Sequence, residues 1–179
     1  MSDDNFARSL VFTLAHEGGY TDDPRDPGGE TKYGIAARFY PPEKLNDILG
    51  RWVSIADLTT ADAARIYMRD YWRPLRCEAL PWPLCLTVFD CAVVPGQGAA
   101  AMILQRECGA MPDGVVGPAT LRAVAQTVAN LGAHEIARRV TIGRLAWFEK
   151  SIKKNPGLAV FRPGWANRCI DLGWAAATP

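Results

Sequence analysis

Apolar residues in this chain recur at helical spacing almost from end to end, and nowhere do they settle into the two-residue alternation of a half-buried strand. Phe6, Leu10, Val11, Leu14 and Ala15 form the first stripe and predict a helix over 4–16. Gly18 and Gly19 stop it, as glycine does just past a helix end. Helix returns over Thr60–Trp72, where Thr59 or Thr60 caps the start and Ala63, Ile66, Tyr67 and Tyr71 make the buried face. Pro83 suits the first position of a helix over 83–93, and Pro118 opens another ending near Asn130. Further helices are predicted over Gln97–Cys108, Ala133–Lys153 and about 165–173. The expected fold class is mainly α.

A length of 179 residues allows one domain with a small appended module. Lysine plus arginine is 20 and aspartate plus glutamate 19, a net charge of +1 that argues against a dedicated nucleic-acid binder. The charge is uneven: residues 131–179 carry eight bases against three acids, which suits an anionic polymer or a solvated helix face. The most apolar stretch, Ala79 to Phe89, is broken by Pro81 and Pro83 and is too short to cross a bilayer. Stable membrane insertion is therefore not expected, and a monomer is. The acidic start, Met1-Ser2-Asp3-Asp4, lacks the pattern of a secretory leader and predicts a chain held in the cytoplasm until released to the periplasm.

The five cysteines, Cys77, Cys85, Cys91, Cys108 and Cys169, form no CxxC pair, and only His16 and His134 offer imidazole. No metal site and no cofactor are expected, and the thiols read as mostly buried in a reducing compartment. His16 cannot begin a zinc-protease motif, because the second histidine position is occupied by Tyr20.

Chemistry concentrates between Glu17 and Ile35, where the helical pattern gives way to Asp, Pro, Gly and Thr. An irregular connection this long inside a small domain tends to be functional, and it has room for a small hairpin. Glu17 sits where the first helix ends, and the partial negative charge of the last carbonyls there disfavours an ionised carboxyl. A carboxyl that keeps its proton near neutral pH is what a general acid needs. Asp26 opens Asp-Pro-Gly-Gly, a turn that can aim its carboxylate back at Glu17. One protonated acid and one carboxylate that orients water is the pairing for hydrolysing a glycosidic bond with inversion. Thr31 can hold that water through its hydroxyl. Each has a structural reading as well: Asp26 as a turn initiator, Thr31 as a backbone-bonding threonine, Glu17 as a solvated helix end.

Glu17-Gly18-Gly19-Tyr20, Asp26-Pro27-Gly28-Gly29, Thr31 and Tyr33-Gly34-Ile35 together resemble the start of glycoside hydrolase family 108. Its members are lysozyme-like N-acetylmuramidases, found as phage endolysins and as bacterial muramidases linked to protein export. Tyr67 with Tyr71-Trp72, and Phe89-Asp90, resemble the family's following helices. Leu104-Gln105 and the run from Asp113 to Leu121 look like its small peptidoglycan-binding module, although from the residues alone Asp113-Gly114 and Gly117-Pro118 are ordinary turn and helix-start signals. Phe161, Gly164-Trp165 and Asn167-Arg168 also fit.

The resemblance implies a lysozyme-like catalytic region over 1–93 and a packed helical peptidoglycan-binding module over 94–179. It places the catalytic acid on Glu17, with Asp26 and Thr31 completing a triad; from the residues themselves, Tyr20 and Tyr33, close to Glu17, are the candidates for the substrate cleft. The implied substrate is the β-1,4 bond between N-acetylmuramic acid and N-acetylglucosamine in peptidoglycan. Two departures stand out. The triad spacing is Glu-x8-Asp-x4-Thr, one residue shorter at the second gap than in phage-type lysozymes, and Val94-Pro95-Gly96 lacks an asparagine usual before the glycine. Tyr71, Trp72, Trp82, Trp147, Trp165 and Trp174 are candidates for core or for sugar stacking, with core the commoner use. Two competing readings are a non-catalytic wall-binding protein and a cysteine peptidase using Cys85 or Cys91 with His134 as base. No Gly-x-Ser-x-Gly elbow or phosphate-binding glycine loop supports a serine hydrolase or nucleotide-dependent enzyme.

Overall fold

The computed structural model describes residues 2–22 and 29–177. Among these residues are eight α-helices and one antiparallel hairpin. The order is α1 (Ser2–Glu17), β1 (Thr31–Lys32), β2 (Ile35–Ala36), α2 (Pro42–Leu49), α3 (Thr60–Tyr67), α4 (Leu84–Val93), α5 (Gln97–Glu107), α6 (Pro118–Leu131), α7 (Ala133–Lys154) and α8 (Arg162–Ala177). The mainly α class follows as the periodicity required. Two compact units are formed, one from Leu10–Asp70 and the other from Met1–Ser9 with Tyr71–Pro179.

The smaller unit is built on a few polar clasps around Leu45, Leu49, Ile55, Leu58 and Ile66. Thr59 caps α3 reciprocally: its side chain accepts from the Asp62 N–H, and the Asp62 carboxylate accepts from the Thr59 N–H at 2.9 Å. Arg51 donates to the same carboxylate at 2.6 Å, and Arg65 donates to the Leu49 carbonyl, satisfying the open end of α2. Helix α2 has no counterpart in the expected elements. The hairpin is tighter and later than the Tyr20–Gly34 connection suggested. Lys32 faces Ile35, so the turn is Tyr33-Gly34, and both have positive φ, 54° and 74°, as a two-residue hairpin turn demands.

The larger unit is organised around α4. Nine of its ten residues, Leu84 through Ala92, are buried, so the most apolar stretch of the sequence is a core helix. Phe6, Trp72 and Phe89 meet edge-to-face with centroids 5.2–6.0 Å apart. At the heart lies a charged cluster. Asp90 on α4 accepts from Arg144 on α7 at 2.7 Å and from Arg168 on α8 at 2.6 Å, and the Asp90 and Arg144 side chains are wholly buried. Burial alone would push the Asp90 carboxyl up, but the Arg168 and Arg144 guanidiniums overcome it and hold the group below the usual carboxylate range. Arg144 Nε and Nη2 have no hydrogen-bond partner among the described residues, and the guanidinium instead lies 5.4 Å from the Phe148 ring centre.

All five cysteines are buried, unbridged thiols. No helix among the described residues is long and apolar enough to cross a membrane. The last predicted helix is longer than expected, starting at Arg162 directly after a 3-10 turn over Pro156–Phe161.

Candidate active site

Glu17 is the final residue of α1, and Gly18, at φ 75°, turns the chain away from the helix. Its side chain is half-buried rather than free in solvent. What fixes its place is the hairpin tip. A Cβ built on Gly34 would overlap Glu17 Oε2, and would stand 2.9 Å from Glu17 Cδ and 2.7 Å from Tyr67 Oη. Only a hydrogen fits there. Gly34 therefore serves twice, supplying the positive φ of the turn and the space in which the carboxyl rests.

Tyr67, buried on α3, donates from its hydroxyl to the Tyr33 carbonyl oxygen at 2.9 Å. The end of α1, the turn and α3 thus close around one carboxyl, which stands at the negative end of its helix. The Tyr33 ring is half-buried, with Lys32 Nζ 5.5 Å from its centre.

Thr31 lies on β1 and pairs through its backbone with Thr21 in both directions at 2.9 Å. Its hydroxyl donates to the Gly29 carbonyl at 3.0 Å, so what it can offer a water is a lone pair. Tyr20 is exposed. Desolvation first, then a hydrogen bond with Glu30 and the charges of Glu30 and Asp22, raise its phenol above the ordinary value. Glu30 also accepts from the Ala56 N–H at 3.1 Å, anchoring the approach to β1 on the segment before α3. Asp26 lies outside the described residues.

The structure thus brings Glu17 and the Tyr33 turn together and sets Thr31 on the same hairpin. It adds Tyr67, Gly34 and Glu30 in supporting positions. Tyr67 is legible in sequence only as a core-facing residue of its helix; its hydroxyl bond to a turn 34 residues away carries no local signal. Trp52 has no periodic pattern to mark it and is 66% exposed in the same unit.

The other candidate chemistry fails on burial. Burial pushes the Cys85 thiol up to about 11 and the Cys91 thiol to about 12, the opposite of an activated nucleophile. The motif around Gln105 is a clasp. The buried Gln105 amide donates to Asp113, to the Val115 carbonyl and to Thr120 at 2.7–3.0 Å, and its oxygen accepts from the Gly114 N–H at 3.0 Å. These bonds hold the turn before α6 in shape.

A small helical unit with a carboxyl seated at the end of its first helix, against a hairpin turn, defines a lysozyme-like glycoside hydrolase. Residues 10–96 match the family model for glycosyl hydrolase 108, and residues 99–170 match a model described as "Predicted Peptidoglycan domain". The solved structure of Brucella abortus SagA is 32% identical, with a TM-score of 0.77 over 97% of this chain and 94% of that one. No curated protein matches the chain. The chain belongs to glycoside hydrolase family 108, and with its second domain it is a peptidoglycan hydrolase.

Proposed function

We propose that the enzyme is an N-acetylmuramidase that cuts the β-1,4 bond between N-acetylmuramic acid and N-acetylglucosamine, with Glu17 as its general acid. The observation that carries this reading is the seat of the Glu17 carboxyl, half-buried at a helix C-terminus and held against Gly34. In this reading Glu17 gives its proton to the departing glycosidic oxygen. A water attacks the anomeric carbon from the opposite face and passes its proton to Asp26, while the Thr31 oxygen accepts a hydrogen bond from it. Tyr20 and Tyr33 flank the sugars. No metal or organic cofactor enters this chemistry.

The division of labour proposed is a catalytic region over 1–93 and a wall-binding region over 94–179, in a monomer. The setting proposed is a phage lysis enzyme that gathers in the host cytoplasm and reaches the wall once the membrane is breached. That setting rests on the family resemblance and is tested by expressing the chain in cells with and without a membrane-permeabilising agent; lysis only with the agent is expected. For the bond itself, purified sacculi are digested, the products reduced with borohydride and their masses read. Reduced N-acetylmuramic acid ends are expected. Reduced N-acetylglucosamine ends would assign the enzyme to the other bond.

A further inference from the structure

In the run of the second domain that resembles a wall-binding motif, the buried Gln105 amide is spent on holding the turn before α6, which directs attention to other surfaces of that domain. A groove of about 280 Å³ runs between α5 and α7, lined by Ile103, Arg106, Glu107, Gly143, Trp147 and Lys150. Its floor exists because residue 143 is glycine: a Cβ there would stand 2.8 Å from Ile103 Cγ2 and 3.6 Å from Glu107 Oε1. Trp147 packs edge-to-face on the buried Phe148 at 5.8 Å, which fixes the indole as a wall. Arg106 and Lys150 are exposed and Glu107 half-buried, and none of the three side chains has a hydrogen bond or ion pair among the described residues.

We propose that this groove is a peptidoglycan subsite, separate from the carboxyl of Glu17, that holds one N-acetylated sugar with the head of its stem peptide. The proposal rests on peptidoglycan being the substrate. An indole offers an apolar face to a pyranose ring and its N–H to an acetamido oxygen. Two uncommitted cations meet free carboxylates of the stem peptide, the lactyl carboxyl of muramic acid being taken up in the amide that joins it to that peptide, and a carboxylate beside them accepts from amide or hydroxyl donors. The volume is at the small end for ligand sites, enough for one sugar unit. Of the eight bases in residues 131–179, Arg144 and Arg168 are buried against Asp90, whereas Lys150 at the groove is exposed and without an ion pair among the described residues.

The test is calorimetric titration of the full chain with soluble GlcNAc–MurNAc–tetrapeptide, which contains only the bond a muramidase leaves intact. Trp147→Ala, and separately Arg106→Glu combined with Lys150→Glu, are expected to weaken binding at least tenfold, with unchanged circular dichroism. Lys153→Glu, an exposed charge reversal on α7 outside the groove, is expected to keep the affinity. Unchanged affinity in both groove variants, or an equal loss in Lys153→Glu, overturns the proposal. Cleavage of sacculi is measured on the same preparation. Cleavage with groove-independent binding removes the groove alone, whereas groove-dependent binding without cleavage removes the hydrolytic reading and leaves the groove.

Discussion

The Tyr67 hydroxyl and the Tyr33 carbonyl oxygen are 2.9 Å apart, and through that bond α3 holds the turn on which the Glu17 carboxyl rests. Tyr67→Phe removes one hydrogen bond from a buried donor and should cost about 1 kcal/mol of stability. It should also slow wall hydrolysis about tenfold or more by loosening the turn. Gly34→Ala should be worse for activity, because its methyl claims the space of the carboxyl. Thermal unfolding and initial rates on sacculi, measured side by side, check both; full activity in Gly34→Ala would show that the seat does not matter.

Asp90 neutralises two buried guanidiniums at once. Asp90→Asn should destabilise the chain by about 3–5 kcal/mol, the usual result of leaving buried charge uncompensated. Urea unfolding at neutral pH measures this.

The same group sets an acid dependence. Its carboxyl titrates lower in the folded chain than in the unfolded one. Its contribution is therefore present in full above the unfolded value, near pH 4, and is lost as pH falls through the lower folded value. Stability should decline below about pH 4 in the wild type, and more shallowly in Asp90→Asn. Parallel slopes in the two proteins would assign the acid dependence to other carboxylates.

Native thiols should resist alkylation. All five are buried, and burial raises Cys77, Cys85 and Cys91 most clearly. Iodoacetamide at neutral pH should add no mass until denaturant is present, and activity should survive the treatment. Rapid labelling of Cys85 with loss of lysis would revive a thiol mechanism.

The α3 cap offers a control for stability without chemistry. Thr59→Ala removes the hydroxyl's two bonds with Asp62, leaves the one from the residue 59 N–H, and should cost about 1 kcal/mol. The rate on sacculi should stay at the wild-type level at a temperature where the variant is folded.

Long helices were readable because each writes its own stripe and its own end signals. Thr59 before α3, Pro118 at the start of α6 and the glycines after α1 act through their nearest neighbours, so sequence order is enough to find them. Helix α2 was not, since eight residues beginning at Pro42 give too short a stripe to separate from the surrounding loop. The hairpin turn uses Tyr33 at φ 54°, a residue with little preference for that region, and so gave no turn signal of the Asn-Gly kind. Glu17 stood out by its position on a helix end. Its seat did not, because Gly34 and Tyr67 reach it only through the fold. The Gln105 run shows the opposite case, a motif legible in sequence whose buried glutamine the structure commits to holding a turn.

The most direct measurement replaces Glu17 by glutamine, which keeps the size and the seat but removes the transferable proton. Reducing ends released from purified sacculi should fall by about 10³-fold or more while the unfolding temperature stays within a degree or two of wild type. A Glu17→Gln protein that folds and still cleaves the glycan at the wild-type rate would contradict the assignment of the acid.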